Sequence, residues 1–195
     1  MTNIALDYNY DCMDERPYEV VDGLKIKKMA ARPAHQEVAG NIRDSFKRQL
    51  RSGLCRAYMD TYVFLDENEK YVPDIAVVCD PSIVDANKGI FGAPDLVAEV
   101  LSPSTTRRDK GHKKNIYEKY GVGEYWLVDI KLKSIEVYML ENGRYELDNI
   151  YLAEYTETEL EDMSEQRRAE ISFTFKTSLF DDLVIDVREI FEDLP

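Results

Sequence analysis

Hydrophobic and polar positions change period several times along the chain, and each change marks an element. Tyr18 to Lys28 reads Tyr-Glu-Val-Val, Asp22-Gly23, Leu-Lys-Ile-Lys. That order predicts a β-hairpin, because Asp-Gly supplies the positive-φ positions of a tight turn. Val38, Ile42, Phe46 and Leu50 then recur every fourth residue. With Pro33 at the start and Gly53 as the stop, they predict a helix from Pro33 through about Ser52. Arg56 to Leu65 is strand-like, and Asp66-Glu67-Asn68-Glu69 is a polar turn.

Two nearly continuous apolar runs follow, within Tyr71 to Cys79 and Pro94 to Leu101. Strands apolar on both faces belong in the middle of a sheet covered by helices. Pro81 to Ala93, with Gly89 and Gly92, is expected as loop. Ser102-Pro103-Ser104 breaks the second strand, and a helix is predicted from about Thr106 to Tyr120, ending at Gly121. Glu124 to Asp129 and Ser134 to Leu140 read as strands, and Glu141-Asn142-Gly143 as a turn into Arg144 to Leu152. Short strands near Glu170 to Phe175 and Leu183 to Asp186, then a short helix from Val187 to Asp193, complete the reading. Helices interleaved with strands argue for an α/β class with a mixed central sheet. With 195 residues and no convincing linker, one domain over 1–195 is expected. Residues 1–17 would be an N-terminal extension, and 141–195 an acidic C-terminal part of the same domain.

Composition narrows the classes. An apolar fraction of 44% and a charged fraction of 32% fit a soluble globular protein. No apolar run approaches the ~18 to 20 residues needed to span a bilayer, so no membrane role is expected. The start of the chain has neither a basic nor an apolar region of a signal peptide. Cys12, Cys55 and Cys79 lack paired spacing. They are expected to form neither a disulfide framework nor a zinc site, which suits a reducing cytoplasm. Two histidines, His35 and His112, are too few for a multi-histidine cage.

The net charge of −13 is uneven. Residues 141–195 hold 16 acids against 5 bases, while 1–140 hold 22 against 20. The acidic third reads as a solvated face that leaves a polyanionic partner to the front part. Arg107, Arg108, Lys110, Lys113, Lys114 and Lys119 form one basic cluster, and Arg43, Lys47 and Arg51 another. Either is a wet helix face or a set of phosphate contacts.

Two carboxylates break the local rule. Asp74 follows Pro73 at the start of one apolar run, and Glu99 lies inside Leu96-Val97-Ala98-Glu99-Val100-Leu101. Ions are seldom buried unless paired, because losing their water costs several kcal/mol. On neighbouring strands the two could face one another and share a hard cation such as Mg²⁺. Alternatively, each caps a loop or pairs with an arginine. Asp109, Lys113 and Tyr117 share one face of the following helix, so Lys113 could reach back toward the strand ends, or form an ordinary surface pair with Asp109.

Pro73-Asp74, the run from Pro94 to Ser104, the series Asp109, Lys113, Tyr117, and Gly121-Val122-Gly123-Glu124-Tyr125-Trp126-Leu127-Val128-Asp129 together resemble the Uma2 family, also called DUF820. Tyr18 to Gly23 and His35 resemble its N-terminal pattern. The resemblance runs from about Tyr18 to Tyr138. It implies the PD-(D/E)XK, restriction-endonuclease-like superfamily: a mixed central β-sheet flanked by helices, with the N-terminal β-hairpin. It also implies a Mg²⁺- or Mn²⁺-dependent endonuclease acting on DNA, and by analogy with nucleases of this fold a homodimer. Asp74 and Glu99 take the places of the motif acids and, with the Val100 carbonyl, would hold the metal. Leu101 stands where the superfamily carries lysine, and Lys113 is the expected replacement. Glu19 is a further candidate acid, His35 is read as structural, and Arg43, Lys47, Arg107 and Arg108 are candidate DNA backbone contacts. The rival reading is a nuclease-fold module that binds DNA or protein without catalysis.

Overall fold

The computed structural model describes residues 17–50, 53, 55–180 and 183–195. Residues 1–16 of the extension expected over 1–17, and the helix end expected at 51–52, lie outside them. In chain order the strands are β1 Tyr18–Val21, β2 Leu24–Lys27, β3 Arg56–Met59, β4 Val63–Phe64, β5 Lys70–Tyr71, β6 Ile75–Val78, β7 Val84–Asp85, β8 Gly89–Phe91, β9 Leu96–Val100, β10 Glu124–Asp129, β11 Ser134–Glu141, β12 Arg144–Leu152, β13 Thr174–Lys176 and β14 Val184–Asp186. The helices are α1 Pro33–Gln49, α2 Thr106–Arg108, α3 Lys114–Tyr120, α4 Glu157–Asp162, α5 Glu165–Ala169 and α6 Val187–Ile190. A π turn, Asp109–Lys113, joins α2 to α3.

The hairpin β1–β2 forms as its sequence predicts, with Asp22 at φ 49° and Gly23 at φ 77°. Along α1 the fourfold stripe Val38, Ile42, Phe46 and Leu50 is buried. The larger sheet has the order β12-β11-β10-β9-β6-β3 and is mixed: β9 and β10 run parallel, and its other neighbours antiparallel. On one face, α1, α6 and β13–β14 bury Leu96, Ala98, Val100, Trp126 and Val128. On the other, α3 packs Ile116 and Tyr117 against Val97, Leu101, Tyr125 and Leu127. This is the expected mixed sheet flanked by helices.

A second sheet, β2-β1-β5-β4-β8-β7, was not foreseen. It arises because two predicted strands each divide between the sheets. Arg56 to Leu65 bends at Asp60, φ 46°, which sends β3 to the larger sheet and β4 to the smaller. Tyr71 to Cys79 divides over Val72, Pro73 and Asp74, since a proline has no N–H for a ladder. The expected loop at Pro81 to Ala93 contains β7 and β8. Helices α4 and α5 were also unforeseen, although Thr156 and Glu159 form a capping box that the sequence displays.

The cysteine expectation is corrected. Cys55 and Cys79 are joined by a disulfide. They occupy facing positions one step beyond the Arg56↔Val78 pair, so strand register unites residues that spacing along the chain leaves 24 apart.

Candidate functional site

Strands β6 and β9 are antiparallel neighbours with Ile75 opposite Ala98. One step further, the same register sets Asp74 against Glu99. Both belong with Ala76 and Val97 on the face covered by the π turn and α3, because side chains alternate along a strand. Both are nearly inaccessible, Asp74 at 5% and Glu99 at 3%. Asp74 lies where the chain crosses from the smaller sheet to the larger. There the β6 ladder has ended, so the Val100 N–H donates to Asp74 Oδ2 at 2.8 Å instead of to a backbone carbonyl. In extended backbone a residue's N–H and C=O project to the same side, so the Val100 carbonyl faces Asp74 too.

Other elements complete the cluster. From the end of β2, the Lys28 ammonium reaches Asp74 Oδ1 at 3.1 Å, Asp60 at 2.7 Å and the Val72 carbonyl at 2.9 Å. His35, in the first turn of α1, places Nε2 3.1 Å from Asp74 Oδ2. The π turn points Asp109 and Lys113 inward, and its Asp109 carbonyl accepts from the Tyr125 hydroxyl at 3.1 Å. Lys113 Nζ lies 2.8 Å from Glu99 Oε1, 3.1 Å from Glu19 Oε1 and 3.5 Å from Asp109 Oδ1. Tyr117 donates to Glu99 Oε1 at 3.2 Å. Glu19, brought in by β1, also accepts from the Val72 N–H and meets Arg108 at 2.7 Å.

Four buried carboxylates, Glu19, Asp74, Glu99 and Asp109, thus face three permanent cations, Lys28, Arg108 and Lys113, with His35 alongside. The excess negative charge falls on Glu99. Burial pushes its carboxyl up to about 8, with Asp109, Asp74 and Glu19 adding to the rise and Lys113 opposing it. Burial likewise raises Asp109. Asp74 moves the other way: burial would raise it, but His35 and Lys28 together hold it below the usual carboxylate range. Burial would lower Lys113, yet Glu99, Glu19 and Asp109 hold it above the usual lysine value, so it stays an ammonium at neutral pH.

The donor set fits a hard divalent cation. It offers carboxylate oxygens with one charge to spare. Within the cluster, Glu19 Oε2, Asp109 Oδ1 and His35 Nε2 are buried without an aligned hydrogen bond among the described residues. Asp74, Glu99 and the Val100 carbonyl are the groups that could share such an ion.

The structure therefore brings Glu19, Asp74, Glu99, Val100 and Lys113 together. It leaves the proposed backbone contacts in different settings. Arg107 and Lys47 are exposed, Arg43 pairs with Asp44 at 3.3 Å, and Arg108 turns inward to Glu19. Sequence reasoning missed Lys28, which follows Lys27 just past the end of β2 and reads as one more hairpin cation. It also missed Glu124, fully buried on the opposite face. That carboxylate accepts from Trp126 Nε1 at 2.6 Å and from the Ser178 N–H and hydroxyl at 2.7 Å each, pinning the segment before β14 to the sheet.

Comparison with known proteins gives a family and a fold. Residues 8–172 match the family Uma2, described as "Putative restriction endonuclease". A curated relative, "Uncharacterized protein slr1290" of Synechocystis sp., is 29% identical over 124 residues. That alignment spans 62% of this chain and 65% of the relative. A crystal structure described as "a putative nuclease belonging to DUF820", from Anabaena variabilis, superposes with a TM-score of 0.67. It shares 19% identity and 91% coverage of both chains, a likeness of fold. The family match runs through the hairpin, both carboxylate-bearing strands and the lysine helix, and on that extent this chain belongs to the Uma2 family.

Proposed function

We propose that the chain is a Mg²⁺- or Mn²⁺-dependent endonuclease that hydrolyses DNA phosphodiester bonds. The observation that carries this reading is the register of β6 and β9, which sets two buried carboxylates opposite one another beside a buried ammonium. Family membership supports the same class of reaction.

Asp74, Glu99 and the Val100 carbonyl would hold the metal. Bound there, the ion would acidify a water and stabilise charge on the phosphate. Asp74 is already ionised and needs no proton loss to serve as a ligand. Glu99, raised by burial and the surrounding carboxylates, would lose its proton more readily with a cation bound beside it. Lys113 contributes a fixed positive charge toward the phosphate, not a base, since its neighbours keep it protonated. Tyr117 orients Glu99, and Glu19 orients Lys113 and Arg108. Exposed Arg107 and Lys47, with Arg43, supply the DNA backbone contacts.

A second reading, a nuclease-fold module that binds DNA or protein without cutting, has its own supporting observation. Asp74 and Glu99 already meet the ammonium groups of Lys28 and Lys113. Plasmid cleavage with Mg²⁺ or Mn²⁺ separates the two. The nuclease reading expects cleavage by the wild-type chain and its loss in both Asp74→Ala and Glu99→Ala. Equal behaviour of all three proteins, with DNA binding retained, favours the module.

A further inference from the structure

Beyond the Asp74–Glu99 cluster, a second set of metal-ligating side chains converges from three separate elements. Asp22 stands in the turn of the β1–β2 hairpin, Glu69 in the turn before β5, and His112 in the π turn. One ligand atom from each lies within 4.8 Å of the other two. The two turns are tied together by the Gly23 N–H, which donates to the Asn68 carbonyl at 3.0 Å. Asp22 is therefore held beside Glu69 by backbone.

Glu69 and His112 have the chemistry of a cation site. Glu69 is 4% exposed and forms no ion pair among the described residues. A desolvated carboxylate of this kind calls for positive charge, and it has only a dipole: the Tyr71 hydroxyl donates to Glu69 Oε2 at 2.5 Å. The same hydroxyl lies 3.0 Å from His112 Nε2. Tyr71 thus ties the His112 ring to Glu69. A ring nitrogen held by a hydrogen bond is how metal-binding histidines are oriented.

We propose that Asp22, Glu69 and His112 form a binding site for a divalent transition-metal cation of the Zn²⁺ type, with Tyr71 fixing the histidine. One imidazole with two carboxylates selects such an ion over Mg²⁺, which prefers oxygen ligands alone. The ion would clamp the hairpin that carries Glu19 to the turn that carries Lys113. The site stands on its own geometry and does not depend on the nuclease reading.

Co²⁺ serves as the probe, titrated into the full chain and followed by its visible ligand-field bands. Wild type and Asp74→Asn are both expected to show these bands, from Co²⁺ held at Asp22, Glu69 and His112 with similar affinity, whatever further ion the Asp74–Glu99 cluster takes up. His112→Gln and Asp22→Gly are expected to bind at least about tenfold more weakly and to lose the bands. Asp22→Gly keeps the turn, because glycine adopts its φ of 49° without strain, and Asp22 is exposed. Circular dichroism checks that both variants are folded. Co²⁺ affinity unchanged in both variants, or abolished by Asp74→Asn instead, overturns the site.

Discussion

Lys113 and Glu99 are joined by one 2.8 Å contact, yet the two residues should respond to substitution in opposite ways. Lys113 is the ammonium shared by Glu99, Glu19 and Asp109. Removing it leaves those buried carboxylates without their common partner, and breaking a buried pair from one side costs about 3–5 kcal/mol. Urea unfolding of Lys113→Ala should show a loss of that order. Glu99 carries the excess charge of the cluster, and its raised pKa means that the fold favours the neutral acid. Glu99→Gln should therefore unfold at a midpoint equal to or above that of the wild type, while losing about 10²-fold or more of the metal-dependent cleavage. A cleft arranged only for stability would not separate the two properties. The sequence disclosed Asp74 and Glu99 because an acid in an apolar strand is conspicuous. It could not disclose Lys28 or the inward turn of Arg108, since each stands beside another cation (Lys27, Arg107) and reads the same whether it faces solvent or a carboxylate.

At the scale of elements, helix and hairpin were legible and the division of strands was not. The fourfold stripe of α1 and the Asp22-Gly23 turn are local signals. The bend at Asp60 and the crossing at Pro73 distribute one apolar run between two sheets, and that outcome depends on partners remote in the chain. Gly89 marks such a junction. Its φ is +134°, and a Cβ there would lie 2.4 Å from the Tyr62 carbonyl oxygen. Gly89→Ala should cost about 1–3 kcal/mol through strain and separate β8 from β4, read as a fall in the denaturant midpoint. Glu118 links α3 to the β11–β12 hairpin. The Tyr145 N–H donates to it at 2.7 Å and Arg144 at 3.1 Å, and these hold its carboxyl below the ordinary glutamate value. A carboxyl lowered on folding stabilises above its unfolded pKa and loses that contribution as pH falls through its folded value. The melting temperature of Glu118→Gln should thus fall below wild type at pH 7, and the gap should close as pH falls through the lowered pKa of the folded state.

Across the whole molecule, charge separates the acidic residues 141–195 from the basic helix region around Arg107. If DNA lies along that region, affinity should fall steeply with salt. Arg107→Ala should weaken binding uniformly across sequences and lower the slope of log K against log salt by about 1; an unchanged slope would remove Arg107 from the interface. Light scattering tests the expected homodimer. Among the described residues no helix is long and apolar enough to cross a membrane.

A crystal of the full chain grown with Mn²⁺ and measured at the manganese edge addresses the central claim most directly. An anomalous peak is predicted within coordination distance of both Asp74 and Glu99, with the Lys113 ammonium adjacent. Manganese only at Asp22, Glu69 and His112, with Asp74 and Glu99 still closed on Lys28 and Lys113, would contradict it.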